Sequence, residues 1–339
     1  MFARAGEEET MYCFDLKTGE PKWRNGYAAP FKMGGGGEWH GKGPKSHPVL
    51  ADGRLFTMGI SGIFSAWDAG TGKRLWHKDY GEKYEKPTPY WGACTSPIVD
   101  ENRVMIHFGG DEAGELVAFD VASGDQIWTH GKSGASYSSP LIADLGGIRQ
   151  VIEWNHDSLV GVESKSGKLL WEYPFPHEAT NQNMPTPSVH DGRIYLGGEN
   201  RGLHCFEPKL ADGKWTVKEL WKQEKVALDM SSAVVNGSFL YGMSHYGRGR
   251  LFCVNTENGE ILWQSPGRIG DNVTFLAIPG HIIALLDKGE LQVVAASASK
   301  YEKLASYEVA ELPTWSPPVL LEEGFLIKDQ QNLIYWKMP

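Results

Sequence analysis

The chain has 339 residues, of which 41% are hydrophobic, 33 are basic and 42 are acidic. This length and composition are sufficient for a large buried core, and the net charge of −9 disfavours nonspecific binding to nucleic acid. No apolar run approaches the roughly 18 residues that a membrane-spanning helix needs, so we expect no membrane span.

The first residues, MFARAGEEE, contain no apolar core of the kind that a signal peptide requires, so we expect no signal peptide in this sequence. The first repeat signal follows at residues 13–23, CFDLKTGEPKW. Two apolar stretches flank a turn there, and the second stretch ends at Trp23. The turn is predicted from its Asp and Gly, because Asp bonds its own backbone and Gly tolerates positive φ.

The same pattern returns along the chain, most clearly as AWDAGTGKRLW at residues 66–76. The tryptophans that close the copies are separated by roughly 40–50 residues, a spacing typical of propeller blades built from four short strands. These tryptophans are Trp23, Trp76, Trp128, Trp171, Trp221 and Trp263. No long segment shows a sustained 3.6-residue apolar period, which argues against helical repeats.

Each repeat predicts four strands, A to D. In one clear copy they are predicted at residues 47–50, 55–58, 63–67 and 74–76. The first copy lacks strand A and the last copy lacks strand D. We therefore predict one all-β domain over residues 1–339, an eight-bladed β-propeller of four-stranded antiparallel blades whose N-terminal strand is missing. A seven-bladed ring, with the terminal pieces merged into one blade, is the alternative.

The repeat A-x-D-x-x-T-G-x-x-x-W resembles the tryptophan-docking motif of pyrroloquinoline-quinone-type propeller repeats, and the resemblance extends over essentially the whole chain. The chain is similar to bacterial secreted propellers that are described as quinoprotein-like or assembly-factor-like. The resemblance implies that the motif tryptophans pack between neighbouring blades as structural docking residues. It also implies that the full-length protein is periplasmic or extracellular. We expect a monomer.

The positions of the cysteines bear on whether the chain binds a quinone cofactor. The quinoprotein dehydrogenases that the chain resembles use a vicinal Cys–Cys disulfide, a calcium ion, an Asp base and a Trp beneath the quinone. Here no cysteine is adjacent to another, and no calcium cluster can be placed, so we expect neither pyrroloquinoline quinone nor calcium. Cys13, Cys205 and Cys253 share a repeat position with alanines, which predicts small buried residues and no metal site.

Loop lengths indicate where a partner binds. The turns between strands A and B and between strands C and D are mostly short, whereas residues 25–46, 78–93 and 172–184 form long connections on the other face. Binding residues concentrate in long loops on a rigid scaffold. The candidate binding residues are Trp39, His40, Tyr90, Trp91, Asn183, His245, Arg248 and Trp315. Trp91 is the first candidate, since Gly92 gives its backbone room to turn.

The sequence favours a noncatalytic propeller that acts as a binding or scaffold module for a protein or carbohydrate partner on this loop-rich face. The alternative is an enzyme with its site in the axial funnel, either a quinone-dependent dehydrogenase or a polysaccharide hydrolase or lyase. No G-x-S-x-G, H-E-x-x-H or P-loop motif is present, so no catalytic residue is assigned. The repeat motif specifies fold strongly and function weakly.

Overall fold

The computed structural model describes residues 1–178, 182–247 and 249–338. In this part of the chain the strands form eight antiparallel sheets, and the strands of each sheet pair in chain order. Six sheets have four strands, while the first and the last of the described sheets have three. The fold is an all-β propeller, and the described residues contain only two short 3₁₀ helices, Glu38–His40 and Tyr80–Glu82. The predicted eight blades are confirmed.

The chain divides into two compact units. The first unit comprises Met1–Asn183 and Leu210–Trp215, and it contains sheets one to four in chain order. Its strands are β1 (Phe2–Ala5), β2 (Glu8–Phe14), β3 (Pro21–Ala28), β4 (Val49–Ala51), β5 (Arg54–Met58), β6 (Ile63–Asp68), β7 (Arg74–Asp79), β8 (Ile98–Asp100), β9 (Arg103–Gly109), β10 (Gly114–Asp120), β11 (Gln126–His130), β12 (Leu141–Leu145), β13 (Ile148–Trp154), β14 (Ser158–Glu163) and β15 (Leu169–Pro174).

The second unit comprises Met184–Lys209 and Thr216–Pro339, and it contains sheets five to eight. Its strands are β16 (Ser188–His190), β17 (Arg193–Gly198), β18 (Gly202–Ala211), β19 (Lys214–Gln223), β20 (Val234–Asn236), β21 (Phe239–Ser244), β22 (Arg250–Asn255), β23 (Ile261–Gln264), β24 (Val273–Ile278), β25 (His281–Leu286), β26 (Glu290–Ala295), β27 (Lys303–Glu308), β28 (Val319–Leu321), β29 (Gly324–Lys328) and β30 (Leu333–Lys337). The tip of the β18–β19 hairpin belongs to the first unit. A single domain over residues 1–339 stays a prediction.

Burial differs between the middle and outer strands of a sheet. In sheet three, β9 is buried at every residue and β10 at all but its last residue, because both faces of these strands are covered. The outer strand β7 instead alternates partly buried and exposed residues along its whole length. The continuous apolar runs in the sequence therefore mark middle strands, and the alternating segments mark outer ones.

An aromatic cluster fills the space between sheets two and three. Phe56 and Phe64 pack with Phe108 and Phe119, and Trp76 joins them from the outer strand β7. Neighbouring ring centroids lie 5.6–6.4 Å apart. Each ring removes a large apolar area from water, so the cluster holds the two sheets together.

Five of the six motif tryptophans donate their indole N–H to a backbone carbonyl of the following sheet. The donor and acceptor residues are Trp23 with Ala69, Trp76 with Val121, Trp128 with Ser164, Trp221 with Thr256, and Trp263 with Ser297. These bonds are 2.7–3.4 Å long. Trp171 differs, because its N–H donates to Gln150 Oε1 of its own sheet at 2.8 Å.

The glycine of the strand C to strand D turn meets two requirements at once. At Gly72, Gly124, Gly167 and Gly259 φ is 71–74°. A Cβ at any of these positions would lie 2.4–2.7 Å from the tryptophan ring of the preceding sheet. Gly19 has a φ of 73°, but a Cβ there would meet nothing within 4 Å. The turn glycine therefore provides both the left-handed backbone and the space for the docked ring.

The residue opposite the tryptophan on strand C is small. Ala66 pairs with Trp76 and Cys253 pairs with Trp263, and a β-bulge follows each small residue. Burial raises the pKa of the Cys253 thiol to about 12, which keeps it protonated and unreactive near neutral pH. Cys205 is buried as well, as the sequence predicts.

Serine hydroxyls join the starts of neighbouring A strands. In the first unit the backbone N–H of His47 donates to Ser96 Oγ, and that of Ser96 donates to Ser139 Oγ, each at 2.9 Å. In the second unit the N–H of Thr186 donates to Ser232 Oγ at 2.9 Å. The serines that recur at the start of strand A are therefore explained by contacts between sheets.

The contact between a docked tryptophan and the turn glycine predicts how much stability is lost when that glycine is replaced. We expect Gly19→Ala to lower the free energy of unfolding by about 1–2 kcal/mol, the strain of a Cβ at positive φ. Gly124→Ala has the same backbone strain and also displaces the Trp76 ring, which adds about 1–3 kcal/mol. Urea denaturation of the two variants measures the difference. Equal losses would show that the Trp76 ring does not depend on the glycine.

Candidate functional site

Tyr90 and Trp91 hold the long loop at residues 25–46 in place. The indole N–H of Trp91 donates to the carbonyl of Gly35 at 3.1 Å, and the N–H of Gly35 donates to the Tyr90 hydroxyl at 3.0 Å. The two rings meet edge to face, with centroids 5.7 Å apart. A Cβ at Gly34 would lie 2.3 Å from the Tyr90 ring, so this glycine-rich stretch is what lets the loop lie against the aromatic pair.

Tyr137 extends this arrangement to the next connection. Its hydroxyl accepts a hydrogen bond from the backbone N–H of Trp91 at 3.0 Å, and the two ring centroids are 5.6 Å apart. Burial raises the pKa of Tyr137, so the hydroxyl remains protonated. Its own backbone N–H donates to the carbonyl of Asn183 at 3.1 Å. Tyr137 is not among the residues predicted from the sequence, since an isolated tyrosine in a loop carries no motif.

Asn183 is fully buried and positions a third loop. Its Nδ2 donates to the carbonyls of Asn155 and His156, at 2.7 and 3.3 Å. Its own carbonyl accepts from the backbone N–H groups of Tyr137 and Ser138. Asn183 is therefore a positioning residue, which fixes the loop end against the turn between β13 and β14.

Tyr90 and Trp91 differ in how much of each side chain is exposed to solvent. Tyr90 is 55% exposed, whereas Trp91 is partly buried with both of its N–H groups bonded to protein atoms. The ring that this loop surface presents to a partner is therefore that of Tyr90. We define the loop face of the first unit as Tyr90, Trp91, Tyr137, Asn183 and residues 34–37.

The remaining candidates lie beside the loop face, in the second unit or outside the described residues. His40 lies in a 3₁₀ helix directly after residues 34–37, and its backbone N–H donates to the carbonyl of Gly37 at 3.1 Å. Burial and then the charge of Lys45 lower its pKa. His245 is in the second unit, with Nε2 3.1 Å from Asn200 Oδ1. Trp315, 38% exposed, is also in that unit. Arg248 lies outside the described residues, and so does the side chain of Trp39.

A buried ion pair joins sheets three and four of the first unit. His107 Nδ1 is 2.7 Å from Glu153 Oε1, and His107 Nε2 is 3.0 Å from the carbonyl of Ser133. Both side chains are almost fully buried. The carbonyl can only accept, so Nε2 carries a proton, and a second proton is shared between Nδ1 and the carboxylate. The pair therefore binds one proton more than a neutral imidazole beside a carboxylate.

The pKa of His107 follows from opposing effects. Burial opposes the charged ring, but the Glu153 carboxylate, the Ser133 carbonyl and the more distant Glu115 outweigh it and raise the pKa. His130 is the other titratable ring nearby, and burial lowers its pKa. His107 is thus charged under conditions in which His130 is neutral. The sequence gives no signal for this pair, because the partners are 46 residues apart.

The loop face has the features of a binding surface. Within residues 1–178, 182–247 and 249–338, no three His, Cys, Asp or Glu side chains are grouped so that they can hold a metal ion. The loop face instead combines an exposed aromatic ring with loops that are fixed by hydrogen bonds. Preorganised loops and exposed tyrosine are typical of protein-binding surfaces.

Comparison with known proteins identifies relatives. The family described as outer membrane protein assembly factor BamB matches residues 7–265. The outer membrane protein assembly factor BamB of Yersinia pestis is 22% identical over 289 residues, which cover 83% of this chain and 71% of that protein. The resemblance to quinone-type propeller repeats is confirmed.

Solved structures share the fold. BamB from Moraxella catarrhalis superposes with a TM-score of 0.68 at 14% identity, over 98% of this chain and 92% of that one. Quinohemoprotein alcohol dehydrogenase from Comamonas testosteroni superposes with a TM-score of 0.66 at 13% identity, over 96% and 68%. A propeller of this kind therefore occurs both in an assembly factor and in an enzyme, and these likenesses show the fold alone.

The contacts of Trp91 predict a loss of stability on truncation. We expect Trp91→Ala to cost about 2 kcal/mol, less than a fully buried tryptophan, because the loop at residues 25–46 loses its anchor. Tyr90→Phe removes only a hydroxyl and should cost about 1 kcal/mol or less. Thermal denaturation and limited proteolysis at Lys32 and Lys42 report on the loop. A Trp91→Ala protein as stable and resistant as the parent would contradict the anchoring role.

The buried ion pair predicts a pH dependence of known sign. The pKa of His107 is raised above 6.5, so its stabilisation is fully present below about pH 6.5 and disappears as the pH rises through the raised value. We expect Glu153→Gln to cost about 3–5 kcal/mol at about pH 6 and less at about pH 9. Urea denaturation at the two pH values measures this.

The matched control is Glu112→Gln. Glu112 pairs with Lys86 on the surface and its side chain is 83% exposed, so its loss should be under about 1 kcal/mol at both pH values. A Glu153→Gln loss that does not change with pH would contradict the charged state inferred for His107.

Proposed function

The chain belongs to the family of the outer membrane protein assembly factor BamB, and we propose that it is a noncatalytic propeller that assists outer membrane protein assembly by binding a protein partner. The observation that carries the proposal is the loop face of the first unit. Its loops are fixed to one another by Tyr90, Trp91, Tyr137 and Asn183, so little conformational entropy is lost on binding.

A protein is the partner that this surface favours. Tyr90 presents a large ring, and tyrosine is among the residues that contribute most to protein interfaces. Lys42 and Lys86 are exposed on the connections that flank it, which supplies a polar rim. A carbohydrate partner, which the sequence leaves open, is the alternative.

We further propose that the full-length protein acts in the periplasm as a monomer. The relatives are named for outer membrane protein assembly, which supports that location. Among the described residues, none of the helices has the length and apolar character needed to cross a membrane.

We propose that the chain does not carry out quinone chemistry. The quinoprotein dehydrogenases hold their cofactor beside a vicinal disulfide, whereas Cys13, Cys205 and Cys253 lie on three different sheets and Cys94 lies in a loop. Among the described residues, no three His, Cys, Asp or Glu side chains are grouped so that they can hold a metal ion. These features support a propeller without quinone or calcium.

Site-specific photocrosslinking in the bacterium tests the proposed function. A benzophenone amino acid replaces Tyr90 on the loop face, or Lys17 in the exposed turn between strands β2 and β3 as the matched control. We expect an adduct with a protein of outer membrane assembly from position 90 and none from position 17. The same adduct from both positions, or from position 17 alone, would contradict binding by this face.

A second experiment tests whether the chain uses quinone chemistry. Calorimetric titration of the purified chain with pyrroloquinoline quinone and calcium, followed by a dye-reduction assay with alcohols, should show neither binding nor turnover. Stoichiometric binding with a dissociation constant below micromolar would replace the scaffold role with a dehydrogenase.

A further inference from the structure

Two histidines stack on the loop side of sheet four. His156 lies in the turn between β13 and β14, and His177 lies just beyond β15. Their ring centroids are 3.8 Å apart, with an interplanar angle of 34°. Both rings belong to the first unit, and neither takes part in the binding surface proposed above.

The stack is part of a larger contact that holds residues 175–177 against this turn. The backbone N–H of His177 donates to the carbonyl of His156, and that of Phe175 donates to the carbonyl of Asp157, each at 3.0 Å. The buried Trp154 donates its indole N–H to the carbonyl of Phe175 at 2.9 Å. The segment therefore covers a buried tryptophan.

The hydrogen-bond partners of the rings make the contact specific for neutral imidazoles. His156 Nδ1 is 3.3 Å from Asp157 Oδ1, but His156 Nε2 and His177 Nδ1 are buried and have no hydrogen-bond partner among the described residues. Adding a proton to either of these nitrogens creates a buried N–H without an acceptor. A charge on both rings also places two like charges in contact.

The titratable groups that face His177 are few. They are His156 and Asp157 of the same turn, and Asp111 from the connection between β9 and β10. Burial, followed by the charge of His156, lowers the pKa of His177, while the two aspartates oppose this effect. Asp157 is 59% exposed, so water screens its contribution.

We propose that the His156–His177 stack is an acid-sensitive contact that keeps residues 175–177 on the turn at neutral pH and releases them when His177 is protonated. The neighbouring His107–Glu153 pair responds in the opposite sense, because it holds sheets three and four together in its protonated form. Mild acid therefore loosens this segment while the sheets beneath it stay joined. The device depends on the stack alone and is independent of any partner.

Hydrogen exchange of the full chain tests the proposal. Exchange rates, corrected for their intrinsic pH dependence, are compared at about pH 7.5 and about pH 5.5. We expect peptides that cover residues 175–177 to lose protection at acid pH by up to about tenfold, the factor for one pH unit below the ordinary histidine pKa of 6.5. Peptides from β9 and β13 should keep theirs. An unchanged segment, or equal loss in the sheets, would overturn the proposal.

Two variants distinguish the effect of protonating His177 from the effect of stacking the two rings. His177→Phe keeps an aromatic ring that takes up no proton, so the segment should stay protected at both pH values. His190→Phe, at an exposed histidine of the second unit, should respond as the parent does. A His177→Phe protein with the parental pH response would overturn the proposal. If that variant misfolds, NMR titration of the parent decides, because a midpoint of His177 at or above 6.5 contradicts the stack.

Discussion

The packing of a tryptophan ring against a glycine turn is the interaction on which the propeller depends. The ring leaves strand D of one sheet, donates its N–H to a carbonyl of the next sheet, and occupies space that only glycine leaves open. The same turn requires positive φ, so the backbone and the neighbouring sheet select the same residue. The repeats that end in Trp23, Trp76, Trp128 and Trp221 therefore carry the information for their contact with the next sheet.

This scaffold leaves the long connections free to specialise. In the first unit they are joined in series, from Gly35 through Tyr90 and Trp91 to Tyr137, and from Tyr137 to Asn183. Such a face is rigid without being part of the hydrophobic core. Rigidity of this kind suits the recognition of a folded partner, as the proposed function requires.

The sequence predicted the fold in detail because its signals are local. The Asp-x-x-Thr-Gly turn, the closing tryptophan and the small residue opposite it lie within eleven residues, as in AWDAGTGKRLW, and they recur in register.

The site could be predicted less completely than the fold. Tyr90, Trp91 and Asn183 were found from loop length, but Tyr137 and the His107–Glu153 pair depend on contacts between distant segments, which no spacing rule reports. Trp171 shows the same limit: its copy, GVESKSGKLLW, keeps the turn glycine and the closing tryptophan, yet its N–H bonds within its own sheet.

The central claim is that the loop face of the first unit binds a protein. Cryo-electron microscopy of the protein isolated from the bacterium with its partner attached measures this directly. We expect the partner to cover Tyr90 and the loop at residues 25–46, and to leave the glycine turns exposed. A partner seated on the turns around Gly72 and Gly124, with Tyr90 in solvent, would contradict the claim.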